Sequence, residues 1–147
     1  MSYVRCFAGF VLASLALGCA GSSSAPTSPS PATPALTVGQ LDGPWNLVSI
    51  RPAGQADQVT PSGATYTLTF AQARLSTRVD CNVCSGEFAL SGQTLTAGPM
   101  LACTRAACPT MAFENEYTRL LGGNSVVTLS GDLLALASER GVLRFKR

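Results

Sequence analysis

TYTLTF, residues 65–70, carries the clearest structural signal in the chain, because polar and apolar side chains alternate strictly along it. Successive side chains of a β-strand point to opposite faces, so Tyr66, Leu68 and Phe70 share one face and the threonines share the other. Residues 45–50 alternate in a similar way around Trp45, Leu47 and Ser49. Both segments are therefore predicted to be half-buried antiparallel strands.

Six further segments have the composition of short strands, and three of the gaps between them are rich in turn-forming residues. The predicted strands are 75–80, 87–90, 94–96, 125–129, 133–137 and 142–145, and the turns are Ser91-Gly92-Gln93, Ser130-Gly131-Asp132 and Glu139-Arg140-Gly141. Short strands at such spacing, joined by tight turns, are typical of sandwiches and barrels.

One stretch changes its period from two residues to that of a helix. Its apolar residues are Phe113, Tyr117, Leu120 and Leu121, with Pro109 near the start, Glu114 and Glu116 early, and Gly122 at the stop. This arrangement predicts one amphipathic helix. The expected fold is mainly β (α+β): an antiparallel, cracked or half-open barrel of about eight short strands, with one α-helix inserted before the last three strands.

Composition excludes several classes of function. The 147 residues suit one domain, and none of them is histidine, which removes the commonest neutral-pH base and the commonest transition-metal ligand. Ser-His-Asp, Cys-His and His-zinc chemistries are thereby excluded. Ten basic and eight acidic residues nearly balance, so no nucleic-acid binding is predicted. We expect no metal and no cofactor, and a monomeric protein.

The N-terminus is laid out like an export signal. Arg5 precedes an apolar run over residues 6–17, and small Gly18 precedes Cys19. The run is shorter than the roughly 20 residues needed to span a membrane. The tetrad 16–19, Ala-Leu-Gly-Cys, resembles the lipobox of bacterial lipoproteins, in which the cysteine receives a diacylglyceryl group and becomes the new N-terminus.

This resemblance implies that residues 1–18 are a lipoprotein signal peptide and that Cys19 is the lipidation site, carrying acyl chains such as palmitate. The protein is then exported and anchored to the membrane of the cell envelope through its lipid. Because Ala20 stands where aspartate favours inner-membrane retention in enterobacteria, the expected location in a Gram-negative host is the periplasmic side of the outer membrane. Residues 19–35, rich in proline, serine and threonine, are predicted to form a disordered linker, and residues 36–147 the folded domain.

The remaining cysteines, Cys81, Cys84, Cys103 and Cys108, permit three explanations. Two structural disulfides are favoured, because an exported domain of this size lies in an oxidising compartment. A four-thiolate zinc site would fit the spacing but not the compartment. A redox-active Cys81/Cys84 pair is the third reading, although no helix N-terminus is predicted beside it to lower a thiol pKa. Spacing alone leaves the connectivity open.

The segment from Leu41 to Phe145 resembles the META domain, the HslJ-like family of bacterial envelope and heat-shock-associated proteins. The resemblance rests on LDGPWNL at 41–47, YTLTF at 66–70, DCN at 80–82, TRAACP at 104–109, Glu114 and Glu116 in the predicted helix, and GDLL at 131–134. It implies an antiparallel cracked barrel with one helix. It also implies that Cys81 pairs with Cys108, leaving Cys84 with Cys103.

Asn82, Arg105 and Trp45 are the candidate residues for contact with a ligand or partner. Each also has a structural reading: a turn asparagine, a solvated arginine and a core tryptophan. The resemblance favours a non-enzymatic envelope protein that binds an apolar ligand such as a lipid, or an envelope protein, taken into the barrel, or that supports envelope stress tolerance. A large apolar cavity would favour a ligand inside the barrel, and a filled core would count against it. The alternative is a periplasmic thiol-disulfide oxidoreductase using Cys81 and Cys84.

Overall fold

Ten strands and two helices make up the part of the chain that the computed structural model describes, residues 35–98 and 101–147. The elements are α1 (Val38–Leu41), β1 (Gly43–Pro52), β2 (Gln58–Val59), β3 (Tyr66–Ala71), β4 (Arg74–Val79), β5 (Asn82–Ser91), β6 (Thr94–Ala97), β7 (Ala102–Cys103), α2 (Met111–Leu121), β8 (Gly123–Ser130), β9 (Leu133–Ser138) and β10 (Gly141–Lys146). The predicted signal peptide 1–18, Cys19 and the linker up to residue 34 lie outside the described residues.

Eight of the strands form one antiparallel barrel. Their order around the ring is β1-β3-β4-β5-β6-β8-β9-β10, and β10 pairs with β1, from Asn46↔Lys146 to Pro52↔Gly141, to close it. The short strand β2 is attached to β1. The predicted fold class is confirmed, including one helix, α2, inserted before the last three strands.

The ring is split on one side of β5. Strand β6 pairs with Phe88–Ser91, in the second half of β5, whereas β7 pairs with Cys84 and Ser85 in its first half. Strand β8 continues the ring from β6 and has no pairing with β7 in the described part of the chain. The sheet therefore opens beside β7. This split corresponds to the crack expected in the barrel, although the ring itself is closed through β6.

Strand β5 is longer than its sequence indicated and starts five residues before the predicted strand 87–90. Strand β4 ends at Val79, and a two-residue turn, Asp80-Cys81, leads directly into Asn82. Asp80 adopts a left-handed φ of 59°, which aspartate tolerates better than most residues. The predicted strand 75–80 therefore ends one residue early, and Asn82 is the first residue of the next strand.

Large side chains fill the interior of the barrel. Those fully buried include Trp45, Tyr117, Phe70, Phe145, Leu41, Ile50, Leu68, Leu75, Leu95, Leu120, Leu121 and Leu134. Aromatic rings meet edge to face, for example Tyr66 and Tyr117 with centroids 5.5 Å apart. Close packing of this kind is the usual state of a protein core. It counts against a ligand held inside the barrel.

The two helices lie at opposite ends of the barrel. Helix α1 precedes β1, and Leu36, just before it, donates its backbone N–H to the carbonyl of Gly92, in the turn after β5. Helix α2 lies at the other end, where it contacts β1 and β10. Strand β5, with ten residues, is about 30 Å long and runs from the α2 end of the barrel to the α1 end.

Helix α2 is the predicted amphipathic helix. It buries Glu114, Tyr117, Leu120 and Leu121, and it ends at Gly122 as the sequence indicated. Helix α1 was not predicted, although Thr37 and Gln40 form a capping box in which the Gln40 side chain accepts from the Thr37 N–H at 2.8 Å. Neither helix of the described region has the length and hydropathy of a membrane-spanning segment.

Gly141 allows the barrel to close beneath α2. Its φ is +144°, and a Cβ at this position would overlap the carbonyl oxygen of Arg51 and the Cα of Pro52 on β1. Leu120 of α2 would lie 3.0 Å from the same Cβ. Only glycine fits here without displacing backbone, because strand and helix both pack against this residue.

Candidate functional site

Asn82 lies at the centre of a polar network at the α2 end of the barrel. Its side chain is fully buried at the first position of β5. Its Oδ1 accepts from the Ala106 N–H at 2.8 Å and from the Thr104 hydroxyl at 2.9 Å. The Thr104 oxygen in turn accepts from the Val83 N–H at 3.0 Å. One asparagine thus fixes the loop that follows β7.

The amide nitrogen of Asn82 faces the helix. It lies 3.1 Å from each carboxylate oxygen of Glu114, 3.0 Å from the Ala106 carbonyl oxygen and 3.1 Å from Cys108 Sγ. Glu114 is only 6% exposed, because it occupies the inward face of α2 with Tyr117 and Leu121. An amide nitrogen has two hydrogens, so these four acceptors share them.

Two disulfides hold this region together. Cys81, in the turn before β5, is joined to Cys108, and Cys84 on β5 is joined to Cys103 on β7. This is the pairing that the family resemblance implies. All four sulfurs are in disulfide bonds, so none is a thiolate that could ligate zinc. Cys81 and Cys84 are each bonded to a distant partner, which does not favour a redox-active Cys81/Cys84 pair.

A groove of about 490 Å³ runs between the open edge of β7 and helix α2. It is lined by Asn82, Leu101, Cys103, Thr104, Arg105, Ala106, Ala107, Met111, Glu114, Asn115 and Thr118. We call it the β7–α2 groove. It forms where the split in the sheet leaves β7 paired with β5 on one side only. The unpaired side of β7 is one wall of the groove, and the inserted helix α2 is the other.

Charges of opposite sign line the β7–α2 groove. Buried Glu114 borders it from the helix, and exposed Arg105 borders it from the loop after β7. The described residues include no carboxylate within ion-pair distance of Arg105. The groove thus combines a carboxylate, a guanidinium and the apolar side chains of Leu101 and Met111, groups suited to hold a ligand in a fixed orientation.

A second polar chain supports the start of α2 next to the groove. The Thr110 hydroxyl donates to Asp80 Oδ2 at 2.7 Å, so its oxygen is free to accept from the Tyr66 hydroxyl at 2.8 Å. Burial raises the pKa of the Tyr66 hydroxyl, and the negative charges of Asp80 and Glu114 raise it further. Tyr66 therefore remains a neutral donor. Through the Thr110 hydroxyl, it connects β3 to Asp80 in the turn before β5.

Trp45 is separated from Asn82 and Arg105. It is fully buried at the α1 end, where its Nε1 donates to the Leu41 carbonyl at 2.8 Å. The guanidinium of Arg147 lies over its ring, 4.1 Å from the centroid. Its position fits the core reading of this tryptophan. Asn82 and Arg105 are brought together in one groove, and Trp45 lies outside it.

Glu114 is the groove residue that sequence reasoning did not single out. The sequence indicated it as an acidic residue near the start of a helix and as part of the family resemblance, but not as a contact residue. Its position on the apolar face, three residues before Tyr117 and seven before Leu121, was the available signal. A carboxylate there must be buried, and buried charges require partners. The described residues contain no group of three or more His, Cys, Asp or Glu side chains that could hold a metal ion.

Comparison with known proteins assigns the fold to a family. The META domain family matches residues 36–147, and the chain therefore belongs to the META domain family. A protein from Burkholderia xenovorans, solved by NMR, is similar over 84% of this chain and 96% of its own, with a TM-score of 0.62 and 27% identity. A second NMR structure covers 76% of this chain and 94% of its own, with a TM-score of 0.60 and 29% identity. No curated protein matches the chain significantly.

Proposed function

We propose that this META-domain protein is a lipid-anchored, non-enzymatic protein of the bacterial envelope that binds a partner through the β7–α2 groove. The observation that carries the proposal is the groove itself, in which a buried carboxylate, a rim guanidinium and an open sheet edge meet. The filled barrel argues against a lipid or protein inside it, so the contact surface is assigned to the exterior.

The anchor is proposed from sequence. The lipobox-like tetrad ending at Cys19 and the linker after it precede a domain whose first described residues lie at the α1 end. The β7–α2 groove is at the other end of β5. A linker that joins the domain at the α1 end therefore does not cover the groove, which remains accessible to a partner.

The non-enzymatic role is supported by the chemistry of the groove. Its polar side chains are mainly amide, carboxylate, guanidinium and hydroxyl groups, and the Thr118 hydroxyl already donates to the Glu114 carbonyl at 2.9 Å. The Asn82 amide is engaged on both sides by the loop and the helix. These groups can orient a ligand, and the cysteine lining the groove is held in a disulfide.

Anchoring is tested by fractionating cells that produce the full chain. We expect the protein in the membrane fraction, with mass spectrometry of its N-terminal peptide showing cleavage before Cys19 and an added diacylglyceryl group. Cys19→Ala should abolish the modification and leave the signal peptide uncleaved. Cys6→Ala, which changes the other cysteine of the N-terminal segment, is the matched control and should process normally. An unmodified Cys19 in the native protein would refute the anchor.

The contact surface is tested by photo-crosslinking in the cell. A photoreactive residue at Ala107, in the β7–α2 groove, should give a discrete crosslinked species. The same residue at Ser76, exposed on the outer face of β4, is the control and should not. Equal crosslinking from both positions, or none from Ala107, would count against a partner at the groove.

Deletion of the gene is expected to lower tolerance of envelope stress.

A further inference from the structure

We infer that the β7–α2 groove is a site for a cationic N–H donor, an ammonium or guanidinium group, which binds the buried carboxylate of Glu114. The inference rests on the proposed function only in placing the contact surface at this groove. Its ligand class follows from the hydrogen-bonding capacity of Glu114 and from the side chains around it.

The carboxylate of Glu114 has more acceptor capacity than its neighbours fill. An ionised carboxylate offers about four acceptor positions. In the described part of the chain its side-chain oxygens receive hydrogen bonds from Asn82 alone, at 3.1 Å to each oxygen. Glu114 is only 6% exposed, and no cationic side chain among the described residues pairs with it, so a further donor stabilises its carboxylate.

Asn82 cannot supply the missing donor. Its two amide hydrogens are also shared with the Ala106 carbonyl oxygen at 3.0 Å and Cys108 Sγ at 3.1 Å. Arg105 lines the same groove, but its side chain makes no ion pair with Glu114 within 4.0 Å. Each carboxylate oxygen of Glu114 already has one donor, and its remaining acceptor positions can be filled by a donor that enters from the groove.

The other lining residues indicate what carries the cation. Leu101 and Met111 offer apolar surface to the aliphatic stem of a lysine or arginine side chain. The guanidinium of Arg105 at the rim then attracts a carboxylate next to that side chain and repels a purely cationic ligand. A volume of about 490 Å³ accommodates one long side chain and its flanking peptide bonds. The ligand we propose is a peptide segment presenting a basic side chain.

The site is tested by titrating the isotope-labelled full chain, in detergent micelles, with acetyl-Gly-Arg-Asp-amide, whose aspartate supplies the neighbouring carboxylate for Arg105. We expect saturable NMR shifts of the Asn82 side-chain amide and the Ala106 amide at millimolar peptide. The citrulline peptide, which keeps the shape and loses the charge, should bind at least about tenfold more weakly. Free agmatine distinguishes the sources of the cation: weaker binding than the peptide supports a peptide segment, and equal binding supports a small amine at the same carboxylate.

Glu114→Gln should weaken binding of the arginine peptide by about tenfold or more. Glu116→Gln is the matched control, because it lies on the same helix, is paired with Arg119 and is expected to leave binding unchanged. Asn115→Lys is a second variant that does not alter the buried network; it places a competing cation at the exposed groove wall and should also weaken binding.

Unchanged affinity in Glu114→Gln, equal binding of the citrulline peptide, or no shift at Asn82 would overturn the inference. These measurements use a defined probe and no cellular partner, so they do not depend on the anchoring or crosslinking results. A protein that binds the arginine peptide but gives no crosslink from Ala107 would refute the proposed partner contact alone. A crosslink without peptide binding would refute the cation site alone.

Discussion

Asn82 and Glu114 meet at the α2 end of the barrel, with the Asn82 amide nitrogen 3.1 Å from both carboxylate oxygens and both side chains buried. The contact joins the first residue of β5 to the inward face of α2. The Asn82 amide nitrogen gives each carboxylate oxygen of Glu114 a hydrogen-bond donor, and Glu114 gives that buried amide an acceptor. The pair is therefore expected to be a major determinant of local stability.

Asn82→Asp should lower the free energy of unfolding by about 3 kcal/mol or more at pH 7, because it sets a second carboxylate against buried Glu114. Urea unfolding monitored by circular dichroism measures the change. Asn124→Asp, at an exposed position on β8, is the control and should change stability by less than about 0.5 kcal/mol. The double variant Asn82→Asp/Glu114→Gln should recover part of the loss, since one charge is removed. Additive losses would contradict a direct interaction.

Peptide mapping of the unreduced protein should recover Cys81 linked to Cys108 and Cys84 linked to Cys103. Replacing either pair with serine should lower the free energy of unfolding by about 3 kcal/mol, because loops of 27 and 19 residues are released in the unfolded chain. The Cys81/Cys108 variant should in addition shift the amide resonances of Asn82. A Cys81–Cys84 linkage would contradict the structure and revive the redox alternative.

Tyr117 should make the protein sensitive to strongly alkaline solution. Burial raises the pKa of its hydroxyl, which shares a 2.8 Å hydrogen bond with the Thr77 hydroxyl. A raised folded-state pKa stabilises the fold fully below about pH 10, the pKa in the unfolded chain, and this contribution is lost as the pH rises further. Unfolding free energies measured from pH 7 to alkaline pH should show that decline.

Tyr117→Phe should cost about 1 kcal/mol at pH 7 through the lost hydrogen bond and should reduce the alkaline decline, leaving the smaller part due to Tyr66. Thr77→Val is the control: it removes the partner of the Tyr117 hydroxyl, together with the 2.7 Å hydrogen bond from the Thr77 hydroxyl to the Thr67 carbonyl, but keeps the buried phenol and should retain the decline. A decline of the same size in Tyr117→Phe would show that another group causes it.

Arg147 should shield the ring of Trp45, the single tryptophan of the chain, from solvent. Its guanidinium stacks 4.1 Å from the centroid of Trp45 and donates to the Gln40 carbonyl at 3.1 Å. Arg147→Gln should lower the free energy of unfolding by about 1 kcal/mol and increase quenching of Trp45 fluorescence by acrylamide. Lys146→Gln, the exposed neighbour on β10, should leave quenching unchanged. Unaltered quenching in Arg147→Gln would mean that other residues shield the ring.

Local patterns were sufficient for the fold class. The alternation at 65–70, the glycine-containing turns and the single helical period around Tyr117 predicted a barrel of about eight strands with one inserted helix, because burial of one face imposes those periods. The start of β5 was missed, since Ser85 and Gly86 interrupt the pattern and pairing with β4 overrides their weak strand preference. Helix α1 was missed because a four-residue helix has almost no period.

By itself, the sequence of this protein determined its barrel class, its inserted helix and, through the lipobox-like tetrad, the expectation of a lipid anchor at Cys19. Only the tertiary structure shows that Asn82, Arg105 and Glu114 line one groove and that Trp45 lies at the opposite, α1 end of the barrel. The physical reason is that periodicity reports which face of an element is buried, whereas a site depends on which elements become neighbours. In this protein, the neighbours at the groove are determined by the length of β5, the split beside β7 and the packing of α2 over one end of the barrel.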